Sequence, residues 1–293
     1  MGWRAALVFL LWASAAQAQT MRPFSTFRQL HGETRLTARL EYAAGNLQLA
    51  PAAEAQLYRM DLAYDDGRYL PISDYDAQTN TVLLGLKPAG EGGVRVVSRT
   101  QLSQVAAVGL SPRVNLDLAL ALGAVEAQVE LGGLRVTRLA VRTGASRTLI
   151  QFSRPNAVRC QQANISAGAA EVSVVGLGNS RCDEIKFEGG IGKVTLDFGG
   201  VWSSSSRVEV KIAVGELTLR LPRNAGVRIR MDRFLSSFES VGLVHRGQMF
   251  ESSNYAEAER HLDLDLTTAM GEVNVEWVGD QRGSGKVGKQ GSQ

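Results

Sequence analysis

A window of ten residues recurs six times along this chain, with apolar residues at the same positions in every copy. The first four steps between copies are 21, 24, 22 and 23 residues, and the last is 56. A fixed period of about 22 residues with apolar positions in register is typical of stacked rungs, each of which buries one face against its neighbours. The repeat therefore predicts an all-β fold, a β-solenoid of stacked rungs of about 22 residues.

We call the aligned position of the windows the anchor column; it holds Gly123, Gly144, Gly168, Gly190, Ala213 and Ala269. Around it apolar and polar residues alternate, as in Leu116, Asp117 and Leu118, which predicts two short strands per repeat around a tight turn. Residues this small are needed where the backbone turns sharply or rungs approach closely. The predicted structural turn positions are therefore Gly123, Gly144, Gly168 and Gly190.

The first 18 residues match an export signal. Arg4 supplies a positive start, Ala5 to Trp12 is an apolar run, and Ala16-Gln17-Ala18 has the small-residue pattern of a cleavage site. The apolar run is shorter than the roughly 20 residues that a membrane-spanning helix needs. We therefore expect a signal peptide at residues 1–18 and an exported mature chain, periplasmic or extracellular, without a transmembrane segment.

The rest of the chain divides by its pattern. Residues 19–112 are less regular and are predicted to form an N-terminal β lobe, in which Ala43 takes the anchor position of a weak extra repeat. Residues 113–277 are the predicted β-solenoid repeat domain, and its long last step holds an apolar-rich insertion around residues 231–258. Residues 278–293 are rich in Gly, Ser, Lys and Gln, a composition typical of a disordered tail.

The two cysteines occupy equivalent positions in consecutive repeats. Cys160 and Cys182 each lie eight residues before an anchor glycine, so they share a column on adjacent rungs. Neighbouring strands lie about 4.8 Å apart, close to the separation of about 4.4 to 6.8 Å between Cα atoms in a disulfide. Because an exported protein meets an oxidising compartment, the sequence predicts a disulfide between Cys160 and Cys182.

The sequence offers no recognisable catalytic, cofactor-binding or metal-binding set. His31, His245 and His261 fall at unrelated positions of the pattern, and no metal-binding spacing such as His-Glu-x-x-His occurs. The net charge is only +3 and no basic stripe is present, so nucleic acid is not an expected partner. We therefore expect no enzyme activity, no cofactor and no metal.

Outward carboxylates leave an enzymatic alternative open. A glycan-cleaving β-helix needs two or three acids that converge on one cleft, about 5 to 10 Å apart. Seven outward acids are candidates: Asp117, Glu130, Asp197, Glu209, Asp263, Asp265 and Glu276. Lysines and arginines alternate with them, which favours a solvated surface with salt bridges.

A second cluster joins four tyrosines and four aspartates: Tyr58, Tyr64, Tyr69, Tyr75, Asp65, Asp66, Asp74 and Asp76. It is suited to binding a sugar or a cationic partner, although half-buried sheet residues and turn formers have the same composition. Within it, Asp65-Asp66-Gly67 is a hairpin-type turn signal.

Several stretches of the repeat resemble a known family. They are Leu116 to Leu118, Gly123-Ala124, Val129 to Leu134, Leu139 to Ala145, Gly192 to Phe198 and Gly215 to Leu219. They are similar to the toast-rack β-repeat proteins, also called "putative adhesins", and to the C-terminal domain of LiaF-like envelope-stress proteins. The resemblance spans roughly residues 35–277. It implies a single-stranded β-helix-like fold and a non-enzymatic role, and it assigns no catalytic residues.

We therefore expect a non-catalytic, exported, envelope-associated binding or scaffold protein, adhesin-like or related to the stress response. Its expected partner is an envelope protein or a cell-wall polymer, recognised by the polar faces of the stack. Two alternatives stay open: a glycan-active β-helix enzyme that uses the outward carboxylates, and a soluble regulator of an envelope-stress signalling system.

Overall fold

The computed structural model describes residues 21–90 and 103–279. Over these ranges the protein is nearly all β-sheet, with a single turn of 3-10 helix at Leu177–Asn179. The predicted signal at residues 1–18 and the predicted tail beyond residue 279 lie outside the described residues. The strands are β1 (Met21–Gln29), β2 (Arg35–Pro51), β3 (Gln56–Asp65), β4 (Tyr69–Asp76), β5 (Thr81–Pro88), β6 (Val105–Leu110), β7 (Asn115–Glu130), β8 (Arg135–Thr143), β9 (Arg147–Gln151), β10 (Cys160–Val175), β11 (Cys182–Asp197), β12 (Ser206–Pro222), β13 (Gly226–Glu239), β14 (Leu243–Arg246), β15 (Met249–Ser252) and β16 (His261–Val278).

Parallel strands stack side by side into nine rungs within the described ranges. In spatial order, rung 1 is β5 with β6, rung 2 is β2, rung 3 is β7 and rung 4 is β8 with β9. Rungs 5 to 9 are β10, β11, β12, β16 and β13. The six sequence windows fall on rungs 3 to 8 in consecutive order. The predicted all-β solenoid of stacked rungs is therefore confirmed.

The weak extra repeat is confirmed as well. Leu40 pairs with Leu120 and Tyr42 pairs with Leu122, which places Ala43 opposite Gly123. β2 is thus a full rung of the stack, and the sheet continues from it into β7 without interruption.

Most rungs are one long strand that bends at the anchor column. In β7, buried residues have even numbers up to Leu122 and odd numbers from Val125 onward. This change of phase keeps the two arms of the rung, before and after the bend, facing the same core. The expectation of two short strands around a tight turn fits rung 4, where β8 ends at Thr143 and β9 begins at Arg147. It is wrong for the other five repeats, because parallel pairing holds each of those strands continuous through the bend.

The core consists of apolar ladders that run from rung to rung. One ladder lies three residues before the anchor column and holds Leu120, Val141, Ile165, Phe187, Val210 and Leu266. A second lies six residues after it and holds Val129, Ile150, Val174, Leu196, Leu219 and Val275. All twelve side chains are buried, so each rung depends on its neighbours for a dry surface, as expected for a solenoid.

Spatial order departs from sequence order at both ends of the stack. Rung 1 follows β2 in the sequence but precedes it in space, and β13 precedes β16 in the sequence but lies beyond it. The predicted insertion at residues 231–258 therefore contributes the second half of the last rung, and a hairpin of β14 and β15 follows it.

Antiparallel strands close the other end. β4 pairs with β5 on the first arm of rung 1, while β3 pairs with β6 on the second arm and β1 covers β3. Asp65-Asp66-Gly67 does form a turn, and the Arg68 N–H donates to the Asp65 carbonyl at 3.1 Å. Its two strands pair with different arms and not with each other, so the hairpin expectation is wrong: the turn carries the chain from one arm to the other.

Cys160 and Cys182 form the predicted disulfide. They are register partners in β10 and β11, and both side chains are fully buried. The bond joins rungs 5 and 6 where their strands begin. No helix in the part of the chain that the structure describes is long and apolar enough to cross a membrane.

Candidate functional site

The anchor column brings successive rungs unusually close together. A Cβ atom placed on Gly190 would lie 2.8 Å from the carbonyl oxygen of Gly168, so a side chain at this position would require a shift of the backbone. The left-handed backbone lies two residues further along the chain, with φ of +143° at Gly215 and +135° at Gly271. The predicted turn glycines thus lie at the bend, while a neighbouring column supplies the conformation that only glycine adopts readily.

A continuous trough follows the anchor column across the stack. It consists of two adjoining grooves of about 620 and 650 Å³ that share Ser166 and Ala167. All seven small residues of the column line it: Ala43, Gly123, Gly144, Gly168, Gly190, Ala213 and Ala269. It begins at Lys87 on rung 1 and ends at Phe234 on rung 9, so it spans eight rung steps, roughly 38 Å at about 4.8 Å per step.

The rim of the trough carries a row of polar side chains two residues before the anchor column. In register from rung 2 to rung 9 the row is Glu41, Ala121, Arg142, Ser166, Glu188, Lys211, Thr267 and Asp232. Negative and positive charges therefore alternate along the trough. Glu188 and Lys211 are neighbours, and a small or neutral residue separates each of the other pairs of consecutive charges.

Several rim charges are free to bind a ligand. Glu41, Arg142, Glu188 and Asp232 make no side-chain hydrogen bond or ion pair to any residue in the described ranges. Lys211 differs, because its ammonium group donates a hydrogen bond to the Glu209 carboxylate in an ion pair of 2.5 Å. That hydrogen bond raises the pKa of Lys211 and lowers the pKa of Glu209, so both groups are charged at neutral pH.

The seven acids considered as catalytic candidates lie outside the trough. Each already has a partner. Five form ion pairs: Asp117 with Arg138, Asp197 and Glu276 with Arg220, Glu209 with Lys211, and Asp265 with Arg230. The other two accept hydrogen bonds: Asp263 from the Tyr255 hydroxyl, and Glu130 from the N–H groups of Gly132 and Ser153. Most of these acids link neighbouring strands or loops, while Glu209 pairs with Lys211 of its own strand.

The tyrosine–aspartate cluster is split between the core and the turns. Tyr58, Tyr64 and Tyr69 are buried, and burial raises the pKa of Tyr58 and of Tyr69. Asp76 accepts from the Gln78 N–H at 2.8 Å and thereby shapes the turn before β5. The structure does not gather the eight residues into one open surface.

The three histidines lie on different elements and contact different residues. His31 follows β1 and contacts the Gln29 carbonyl, His245 lies against Phe250 in the terminal hairpin, and His261 opens β16 beside Tyr255. Within residues 21–90 and 103–279, no three His, Cys, Asp or Glu side chains gather in a metal-binding group.

The sequence patterns did not single out four residues of the trough: Arg142, Ser166, Glu188 and Phe234. The first three share a column two residues before the anchor column, which the aligned windows already define. Stacking those windows would have revealed the alternating charges. Phe234 gives no such signal, because its rung matches no window.

Two solved structures are similar to this chain over most of its length. No curated relative matches it. It is similar to the solved structure of a "putative cell adhesion protein" from Clostridium sporogenes, with 16% identity, a TM-score of 0.48 and coverage of 88% of this chain and 100% of that chain. It is also similar to a "putative adhesin" from Bacteroides fragilis, with 11% identity, a TM-score of 0.42 and coverage of 88% and 98%.

A family model agrees with the pattern of the rungs. The N-terminal domain of toast-rack proteins, DUF2154, matches residues 16–175, more than half of the chain. Within the described residues this match takes in β1 to β10, that is, the closing strands and rungs 1 to 5. The chain therefore belongs to the toast-rack family.

Proposed function

We propose that this chain is an exported, non-catalytic, adhesin-like binding or scaffold protein of the cell envelope, which holds an extended partner along the trough. The observation that carries the proposal is the trough itself, which crosses all nine described rungs with free charges along its rim. A small molecule would fill only a fraction of such a length. A protein segment or a polymer chain could contact most of it.

The scaffold is suited to binding without rearrangement. Every rung beneath the trough except rung 9 is paired on both sides, so the rim side chains project from rigid strands at fixed spacing. Rigid presentation lowers the entropic cost of association. Opposite charges alternate along the rim, and this favours a partner whose own charges alternate or whose polar groups both donate and accept hydrogen bonds.

Glycan cleavage is the less suitable activity for this surface. Along the rim, Glu41 and Glu188 are four rung steps apart, roughly 19 Å, and Glu188 and Asp232 are three steps apart, roughly 14 Å. A glycosidase needs carboxyl groups about 5 to 10 Å apart. Hydrolysis would also need an acid with a raised pKa, whereas the pKa of Glu209 is lowered by Lys211.

The disulfide supports export. Disulfides persist in secreted and periplasmic proteins and are rare where thiols are kept reduced. The Cys160–Cys182 bond is fully buried between two rungs and has the position of a structural crosslink. The envelope location rests on this bond together with the signal peptide expected at residues 1–18.

Site-specific photo-crosslinking in intact cells tests the proposal. A benzophenone-bearing phenylalanine replaces Ser166 in the trough or, as the matched control, Ser173 on the outer face of the same strand; both serines are half-buried. We expect a defined envelope adduct from position 166 that position 173 does not give. Identical adducts from the two positions, or none from position 166, would contradict binding in the trough.

A further inference from the structure

A second, smaller pocket adjoins the trough on the outer face of the first arms, and we call it the side pocket. Its volume is about 330 Å³, at the lower end of the range of roughly 300 to 1,000 Å³ for small-molecule sites. Polar side chains from rungs 4, 5 and 6 line it: Arg142, Gln162, Asn164, Ser166, Lys186 and Glu188. Three of these residues also line the trough, so a single ligand can occupy both spaces.

Short side chains form the floor of the side pocket. Asn164 and Ser166 lie on rung 5, and Ala140 is the register partner of Asn164 on rung 4. Ala140 is exposed and carries only a methyl group, so the pocket is open on this side. Longer side chains on rungs 4 and 6 surround the rest of the floor.

Two cations lie at opposite corners of this floor. Arg142 is the register partner of Ser166 on rung 4, and Lys186 is the register partner of Asn164 on rung 6. Two rung steps and two residues separate the Cα atoms of the cations, roughly 12 Å, and both side chains line the pocket. Neither makes an ion pair or a side-chain hydrogen bond within the described ranges, so both are available to an anion.

The nearest acids do not cancel both of these charges. Glu209 is the register partner of Lys186 on rung 7, but it is already paired with Lys211. Among the described residues that line the side pocket, Glu188 is the one acid. Two cations against one carboxylate favour a ligand group with a single negative charge.

The floor also holds an unsatisfied amide. The Oδ1 atom of Asn164 is buried and has no hydrogen-bond partner in the described part of the chain. Buried polar atoms are nearly always hydrogen-bonded in native proteins, so this amide is suited to a partner from outside the chain. Rotation about its last side-chain bond presents either the oxygen or the nitrogen to the pocket.

We propose that the side pocket binds one uronic acid unit of an acidic polysaccharide whose chain continues along the trough. The sugar carboxylate lies between Arg142 and Lys186, which hold it by charge-assisted hydrogen bonds. Hydroxyl groups of the same sugar donate to Glu188 and exchange hydrogen bonds with Asn164. This inference rests on the proposed function, because it names the class of partner that the trough holds.

The lining favours a sugar acid over other anions. Glu188 only accepts hydrogen bonds, so the ligand needs a donor close to its negative group. A sugar acid carries both on one ring, whereas the side chain of an aspartate or glutamate carries only the carboxylate. A phosphate monoester has close to two negative charges and would be repelled more strongly by Glu188. Gln162, Asn164 and Ser166 each donate and accept hydrogen bonds, as sugar hydroxyls do.

Titration with short sugar acids tests the ligand class. The probes are trimers of galacturonate and of mannuronate, their methyl esters, and a glutamate tripeptide, each measured calorimetrically against the purified chain. We expect at least one acidic trimer to bind, and its ester to bind about tenfold or more weakly because esterification removes the charge. No binding of either acidic trimer, equal binding of the esters, or equally tight binding of the glutamate tripeptide would overturn the proposal.

Three variants test whether the sugar lies in the side pocket. Lys186→Glu should lower the affinity for the acidic trimer about tenfold or more. Arg39→Glu is the control: it makes the same change of charge in the same column on rung 2, outside both the side pocket and the trough, and should bind like the wild type. Asn164→Leu should weaken binding without lowering the thermal midpoint, because the Asn164 oxygen has no partner within the described chain. Equal affinities in all three variants, or a lowered midpoint in Asn164→Leu, would contradict these roles.

Failure of this inference is distinguishable from failure of the proposed function. Lys186 lines the side pocket but not the trough. In the photo-crosslinking experiment, we expect Lys186→Glu to weaken the adduct formed from position 166. An adduct that persists unchanged in Lys186→Glu overturns the side pocket alone, whereas no adduct from position 166 in the otherwise wild-type chain overturns binding in the trough.

Discussion

Cys160 and Cys182 are directly opposite in the neighbouring strands β10 and β11, with their Cα atoms 4.1 Å apart. The disulfide between them closes a loop with a sequence separation of 22 residues. Replacing both residues by alanine should lower the free energy of unfolding by about 3 kcal/mol, chiefly because the unfolded chain gains freedom. Urea unfolding measures the loss, and reduction of the wild type should produce a similar one. Equal midpoints for oxidised wild type and double variant would contradict a stabilising role.

Close stacking at the bend predicts a strong effect of one added methyl group. Gly215 has a φ of +143°, and a Cβ there would overlap the carbonyl oxygen of Gly192 on the preceding rung. Gly215→Ala should therefore lower the free energy of unfolding by about 2 kcal/mol or more. Gly90→Ala is the control, since a Cβ at Gly90 meets open space. Equal thermal midpoints for the two variants would show that the rungs do not approach as described.

The apolar ladders predict a steep dependence of stability on the buried aromatic residues. Phe187 is fully buried between Ile165 and Val210, so Phe187→Ala should cost about 3 to 5 kcal/mol. The same change at Phe27, which is 57% exposed on β1, should cost less than about 0.5 kcal/mol. Chemical denaturation of both variants gives the comparison. A loss at Phe187 no larger than at Phe27 would exclude a continuous packed core.

The β1–β3 pair predicts an acid-sensitive contact at Asp61. Hydrogen bonds from Arg59, at 2.5 Å, and from Ser25, at 2.6 Å, lower the pKa of Asp61 below its ordinary value of 3.8. Because the folded-state pKa is lowered, the contact stabilises the fold above about pH 4 and is lost as the pH falls through the lowered pKa. NMR titration of the carboxyl carbon should show this pKa. Ser25→Ala should raise it only in part, since the Arg59 hydrogen bond remains.

A titration of Asp61 at or above its ordinary value would contradict that contact. An unchanged pKa in Ser25→Ala would show instead that the serine hydroxyl does not reach the carboxylate in solution.

The regular part of the fold is predictable because the repeat defines its own neighbours. A residue at a given offset from Gly168 must lie beside the residue at the same offset from Gly190, which is why Cys160 and Cys182 could be paired without coordinates. The same rule places Ala43 opposite Gly123. These predictions need only the period and the spacing of parallel strands.

The ends of the stack could not be predicted in this way. β13 precedes β16 in the sequence but lies beyond it in space, and Phe234 stands where the windows expect a small residue. The turn at Asp65-Asp66-Gly67 could not reveal which arm each flanking strand would join. Pairing at the ends depends on which rung is left open after the regular ones have stacked, and local patterns do not encode that.

The trough was only partly accessible from the sequence. The column of Arg142, Ser166 and Glu188 follows from stacking the windows. The depth of the trough depends on how the two arms of each rung meet at the bend. The alternation of buried residues changes phase at this bend, and no clear pattern in the sequence marks the change.

The central claim is tested most directly by measuring how the purified protein binds an isolated envelope fraction. Such a fraction contains both envelope proteins and cell-wall polymers. Ser166→Trp fills the trough at the point that its two halves share, while Ser173→Trp adds the same side chain to the outer face of the same strand. We predict that the wild type and Ser173→Trp bind alike and that Ser166→Trp loses at least about tenfold in affinity. Equal binding by the two variants, or no binding by the wild type, would contradict the trough as the binding site.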